Sequence, residues 1–251
     1  MELTRAELYF ILNLPGPLWL SGIDLSRADL IRVRLPNANL LKANLSQANL
    51  SGATITEARM LATNLERAKL VGANLSGTNL TGSNLTEANL FEADLTDVNF
   101  FEANLSRANL RRANLNRANL TKAKLQEADL TEANLNGAEL WLTDLNGALM
   151  DSISLIAINL KESNLSGCYL QNANLTNASL IKANLRSAIL NGTDFTRANL
   201  LEADLTDAEL RGCNFTSANL QGALVSEEAL RQASALDNAI LPNGERYRRS
   251  K

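Results

Sequence analysis

Hydrophobic residues along this chain keep a five-residue beat. Every fifth position from Leu25 to Val225 gives 41 centres; 34 are Leu, and the rest are Ile55, Met60, Phe100, Met150, Phe195, Phe215 and Val225, all apolar. Two residues before each centre stands a small or aliphatic residue, Ala in 28 of the 41 cases, with Thr63, Ser83, Cys168 and Cys213 among the substitutes. The residue between them is Asn or Asp in 28 of 41. The two residues after each centre are mostly polar, charged or Gly, and no insertion or deletion breaks the register.

No single regular element fits this period. Five residues of α-helix rotate about 500°, so the leucines would spiral over every face. On a strand, five is odd, so successive leucines would alternate sides. Within a unit, however, the small residue and the centre are two apart and share one face of an extended segment. Keeping both inward requires a corner in every unit, and four corners close a square coil of about twenty residues. Stacked coils then pair as parallel ladders about 4.8 Å apart, which makes a solenoid.

Charges read the coil length independently. Among the second residues after each centre, from Arg27 to Gly222, nine pairs twenty apart are opposite in sign. They are Arg67/Glu87, Glu87/Arg107, Arg107/Glu127, Glu92/Arg112, Arg112/Glu132, Asp97/Arg117, Glu102/Lys122, Glu162/Lys182 and Lys182/Glu202. At offsets of fifteen and twenty-five, like-charged pairs appear as well. Opposite charges facing each other on adjacent strands help and like charges destabilise, so the twenty-residue coil explains both patterns. Stacked Asn side chains should also hydrogen-bond along the axis.

The unit Ala-(Asn/Asp)-Leu-x-x, in stretches such as "ANLSQANLSG" and "ADLTEANLNG", resembles the pentapeptide-repeat family, cyanobacterial type included, over 41 × 5 = 205 of 251 residues. The resemblance implies an all-β solenoid, a right-handed quadrilateral parallel β-helix, here with short helical caps at both ends. Residues 1–19 read as an N-terminal helical cap, 20–225 as the repeat β-helix, and 226–251 as a C-terminal helical cap with a basic tail. At the front, Thr4-Arg5-Ala6-Glu7 fits a capping box and Pro15-Gly16-Pro17 ends the helix. At the back, Ser226 caps a helix whose Leu230 and Ala233 face the last coil, and Pro242-Asn243-Gly244 turns the chain. The tail carries Arg246, Arg248, Arg249 and Lys251, read either as solvated and mobile or as a contact for an acidic partner.

Composition narrows the function classes. There is no His, which removes the usual imidazole base and metal ligand. The two Cys cannot make an ordinary zinc site; they lie 45 residues apart, on different faces, and read as small buried hydrophobes. No nucleophile elbow, P-loop or zinc motif occurs, and a shaft filled by Leu and Ala leaves no cavity. We therefore expect no enzyme activity, cofactor, metal or small-molecule substrate. With Lys+Arg 24 against Asp+Glu 27, a general grip on nucleic acid is not expected. Nothing reaches membrane-span length. Acidic residues and the Pro-Gly-Pro interruption argue against a signal peptide, so a cytoplasmic location is expected.

Two binding readings remain. Some relatives in the resembled family imitate DNA and bind or protect gyrase, which calls for a strongly acidic surface. Here an acidic coil at 87–102, a basic one at 107–124 and an acidic one at 127–144 alternate. The other reading is a rigid scaffold for an unidentified protein partner or a second copy of the chain. In one outward column, Leu41, Leu61, Phe101, Trp141, Ile181 and Leu201 replace polar residues, with Leu142 beside Trp141. On the coil's other side Leu149, Tyr169 and Ile189 replace Asn/Asp. Such patches mark binding surfaces, but like side chains can also stack only to stabilise the rod.

Overall fold

The computed structural model describes residue 10 and residues 16–248. The capping box expected at Thr4 to Glu7 lies outside them. The described chain is a square solenoid of period twenty. Its ladders are rows of single parallel bridges, each joining the residue before one centre to its equivalent twenty residues on, from Trp19–Asn39 to Asp204–Leu224. Each side of the coil is therefore one bridge long, shorter than an ordinary strand, because a corner follows every centre.

The corner has a repeated chemistry. The carbonyl of the centre accepts the N–H three residues on, as from Ala43 to Leu40 at 3.0 Å. The third residue of this turn adopts positive φ, near +56° at Lys42 and Lys182 and +57° at Glu87 and Arg107. That left-handed conformation is uphill for L-residues with a Cβ. It persists because each turn's backbone is also bonded to the next coil, as Lys42 N to Leu61 O at 2.9 Å. The Asn or Asp before the centre holds the other corner amide: the Ser46 N–H donates to Asn44 Oδ1 at 3.2 Å.

The same Asn side chains form axial ladders. Asn64 Nδ2 donates to Asn44 Oδ1 and Asn84 Nδ2 to Asn64 Oδ1, both at 3.3 Å. Inside, the centres from Leu25 to Leu220 and most of the small residues beside them are buried and form one continuous shaft core. Phe195 and Phe215 stack one coil apart, with ring centroids at 5.0 Å and planes 2° apart. Burying each large centre stabilises by roughly 1.5–3 kcal/mol, before the entropy of ordering the chain is subtracted.

Two boundaries differ from the sequence reading. At the front, Leu18 is already buried and Trp19 already bridged, so the coil begins before residue 20. At the back, Ser226 caps a short helix, Glu227–Arg231, by accepting from the Ala229 N–H, and Leu230 is buried against the last coil. The ladder does not stop there. Ala235 pairs with Asn214 and Ile240 with Asn219, at an offset of twenty-one. The helix adds one residue to the coil, and 232–242 continues it. The turn at Pro242–Gly244 then returns the chain, and Arg246 pairs antiparallel with Ile240. That segment of the basic tail is thus an ordered edge and not a free one.

Candidate functional site

The outward column is built by the corner geometry. Its residues directly follow a centre, and the preceding Asn anchors several of their amides: Leu41 N to Asn39 Oδ1 and Leu201 N to Asn199 Oδ1 at 3.2 Å, Phe101 N to Asn99 Oδ1 at 3.0 Å. Trp141 is 40% exposed, whereas Leu41, Leu61, Phe101, Ile181 and Leu201 are half-buried. Thr121, between Phe101 and Trp141 in the column, is only 8% exposed. Lys122 Nζ lies 5.3 Å from the Phe101 ring centroid, a cation–π distance, and 3.3 Å from Glu102 Oε1. Leu142 occupies the positive-φ corner at +56° and is half-buried. The column is therefore partly a stack, with its largest ring projecting.

Leu149 and Tyr169, each 38% exposed, and half-buried Ile189 form a second column on the opposite face, joined by bridges Leu149–Tyr169 and Tyr169–Ile189. The structure does not bring the two columns together. Sequence reasoning passed over Trp19, Ile31, Ile156 and Leu224, all more than half exposed. Their signal was present: each is apolar at a position flanking a centre.

Around these columns the corners carry ion pairs. Seven of the nine pairs read from the sequence form, including Arg67–Glu87 at 2.7 Å, Arg107–Glu127 at 2.8 Å and Arg112 between Glu92 at 2.8 Å and Glu132 at 3.5 Å. Glu87–Arg107 and Glu162–Lys182 do not close. Glu87 is taken by Arg67 and Arg107 turns to Glu127, while Glu162 pairs with Lys161 at 3.4 Å. The Arg67 hydrogen bond lowers the Glu87 pKa, and the Arg117 hydrogen bond lowers that of Asp97.

Among the described residues no group of three or more His, Cys, Asp or Glu could hold a metal ion. No described helix is long and apolar enough to cross a membrane. Cys168 and Cys213 are both free and buried, and burial pushes each thiol up to about 12. A groove of about 290 Å³ lies at the C-terminal cap, lined by Val225, Leu230, Leu236, Leu241 and Tyr247.

Comparison with known proteins agrees with the repeat. The family model for pentapeptide repeats matches in eight copies, with matched residues that include 23–60, 58–100, 93–130, 113–151, 153–192 and 188–226. No curated protein matches. Among solved structures, the chain is similar to HetL, a pentapeptide repeat protein involved in heterocyst differentiation regulation from Nostoc sp. strain PCC 7120, with 28% identity, 98% of this chain and 100% of that one covered, and a TM-score of 0.42. It is similar to QnrB1, a plasmid-mediated fluoroquinolone resistance protein, at 22% identity over 85% and 92% of the two chains, TM-score 0.46. It is also similar to Rfr23 from the cyanobacterium Cyanothece 51142, at 32% identity over 50% and 83%, TM-score 0.20. With these scores below 0.5, the assignment rests on the repeat match and its geometry. The chain belongs to the pentapeptide-repeat family.

Proposed function

We propose that this protein is a non-enzymatic, cytoplasmic interaction rod that docks a protein partner, or a second copy of itself, along the column through Phe101, Trp141, Ile181 and Leu201. The supporting observation is Trp141: a large ring, 40% exposed, on a corner where the repeat calls only for a small or polar residue. It contributes nothing to the shaft, and large aromatics on a rigid surface tend to dominate interface energetics. We also read the coil as right-handed, since parallel strands joined by a crossover are right-handed in nearly all cases. A DNA-mimic that binds or protects gyrase is the weaker reading, because Arg112 sits between Glu92 and Glu132 and breaks the acidic surface.

The test is Trp141→Ser with Phe101→Ser, followed by light scattering and pull-down from the source cell. Loss of a partner or of self-association with thermal stability retained is expected, corresponding to about 2 kcal/mol or more at a central residue. Unchanged association with the fold intact would leave only the stacking role. A gyrase supercoiling assay decides the alternative.

A further inference from the structure

We infer that the rod has a built-in hinge between the coil holding residues 132–142 and the coil holding residues 152–162. The bridge expected between Asn134 and Ser154 is absent, although bridges flank it at Asp129–Leu149 and Glu139–Asn159. Among these described residues, the inter-coil backbone bonds from the N–H groups of Glu132, Leu135, Gly137, Ser154 and Asn159 are missing. The next contacts are long, Leu140 N to Asn159 O at 3.3 Å and Leu142 N to Lys161 O at 3.1 Å.

The opposite side stays closed. Leu130 N to Leu149 O is 2.9 Å and Leu145 N to Asn164 O is 2.7 Å. The coil interfaces below and above are intact along the same side, as in Leu115 N to Asn134 O and Leu155 N to Asn174 O, both 2.8 Å. The gap thus runs along about half of one coil boundary, which is the geometry of a hinge.

Its cause is visible in the sequence of one coil. Ile153 and Ile158 are consecutive small positions, and both carry a β-branched side chain where Ala is usual. A single such substitution is absorbed: next to Val98, the bond to the coil below, Asn99 N to Thr78 O, remains at 3.0 Å. Two in succession overfill the same side of a tightly packed shaft, and the coils part. The small residues just below register the parting: Ala133 is 8% and Ala138 5% exposed, against 0% at Ala113 and Ala118 one coil down. Ile156, on the same side, is 52% exposed. Backbone groups that are unpaired on a solvent-facing edge, opposite a closed edge, let the two halves of the rod tilt without breaking the core.

Residue-resolved hydrogen exchange on the intact chain tests this. The amides of Glu132, Leu135, Gly137, Ser154 and Asn159 should exchange about tenfold or more faster than those of Arg112, Leu115, Arg117, Asn174 and Ser179. The double variant Ile153→Ala, Ile158→Ala restores the repeat's usual residue and should bring the two sets together. Spin labels on Asn116→Cys with Thr176→Cys span the hinge; Thr56→Cys with Asn116→Cys span equal chain length beside it. The first pair should give the broader distance distribution, narrowing in the double variant. Equal exchange in the two sets, fast exchange that the double variant leaves unchanged, or equal distance widths would overturn the hinge.

Discussion

A hydroxyl at the small inward position does more than fill space. Thr193 Oγ1 donates to the Leu170 carbonyl at 2.7 Å, Thr143 Oγ1 to Leu120 at 2.9 Å and Ser163 Oγ to Leu140 at 2.6 Å, each to a centre twenty-three residues earlier. Cys213 Sγ sits in the same place, 3.0 Å from the Leu190 carbonyl. No buried side-chain polar atom among the described residues lacks a partner, so these substitutions avoid the penalty that a buried hydroxyl otherwise carries. Thr193→Val keeps the shape and removes the donor. It should cost about 0.5–1.5 kcal/mol, read as a lower urea midpoint with an unchanged m-value. An unchanged midpoint would show that the hydroxyl serves only as volume. The inward place of Thr193 was legible from the five-residue register; its acceptor was not, because that carbonyl belongs to the coil below.

The coil is the element, and its corners set how coils talk to one another. Arg107 bonds Glu127 above it at 2.8 Å and faces Glu87 below, which is held by Arg67. Arg107→Glu would place three carboxylates in line on successive coils, whereas Arg107→Ala removes one exposed pair. The charge reversal should therefore lower the melting temperature more than the alanine, and added salt should shrink the difference. Equal melting temperatures for the two variants would mean that the column of corners carries no electrostatic coupling. Sequence spacing identified the candidates for each Arg. Which acid each takes was settled by side-chain reach and by competition: one carboxylate flanked by two bases bonds one of them.

Across the whole molecule these pairs act in the same direction with pH. Carboxylates held below their ordinary pKa, such as Glu87 by the Arg67 hydrogen bond and Asp97 by the Arg117 hydrogen bond, bind protons more weakly folded than unfolded. Their contribution is present above the unfolded value of roughly 4 and is lost as pH falls through the depressed folded value. Melting temperature should therefore hold between pH 5 and 7, taking those limits as about one unit and more above the unfolded values, and fall as carboxylates protonate below about pH 4. The fall should be smaller in the Arg67→Ala, Arg117→Ala double variant. A fall of the same size in that variant would show that other groups control the acid limit.

By itself the sequence determined the shaft. An unbroken period of five with a two-residue inward pair admits only a cornered coil, since helix and strand periods both scatter the leucines. The twenty-residue closure followed from the charges, and the Asn ladders from identical amides stacked at that spacing. Only the tertiary structure decided where the regularity fails. Ile153 and Ile158 are apolar like the Ala usual at their positions, but whether a shaft absorbs extra methyl groups or opens depends on the space its neighbours leave. It also decided that the chain re-enters the ladder at Ala235 and Ile240 after the cap, because a helix inserted at a corner shifts the register by one and hides it from a search at period five. It likewise decided that Thr121, in the column between Phe101 and Trp141, is only 8% exposed: exposure on a corner depends on side chains of adjacent coils, twenty residues away in the chain.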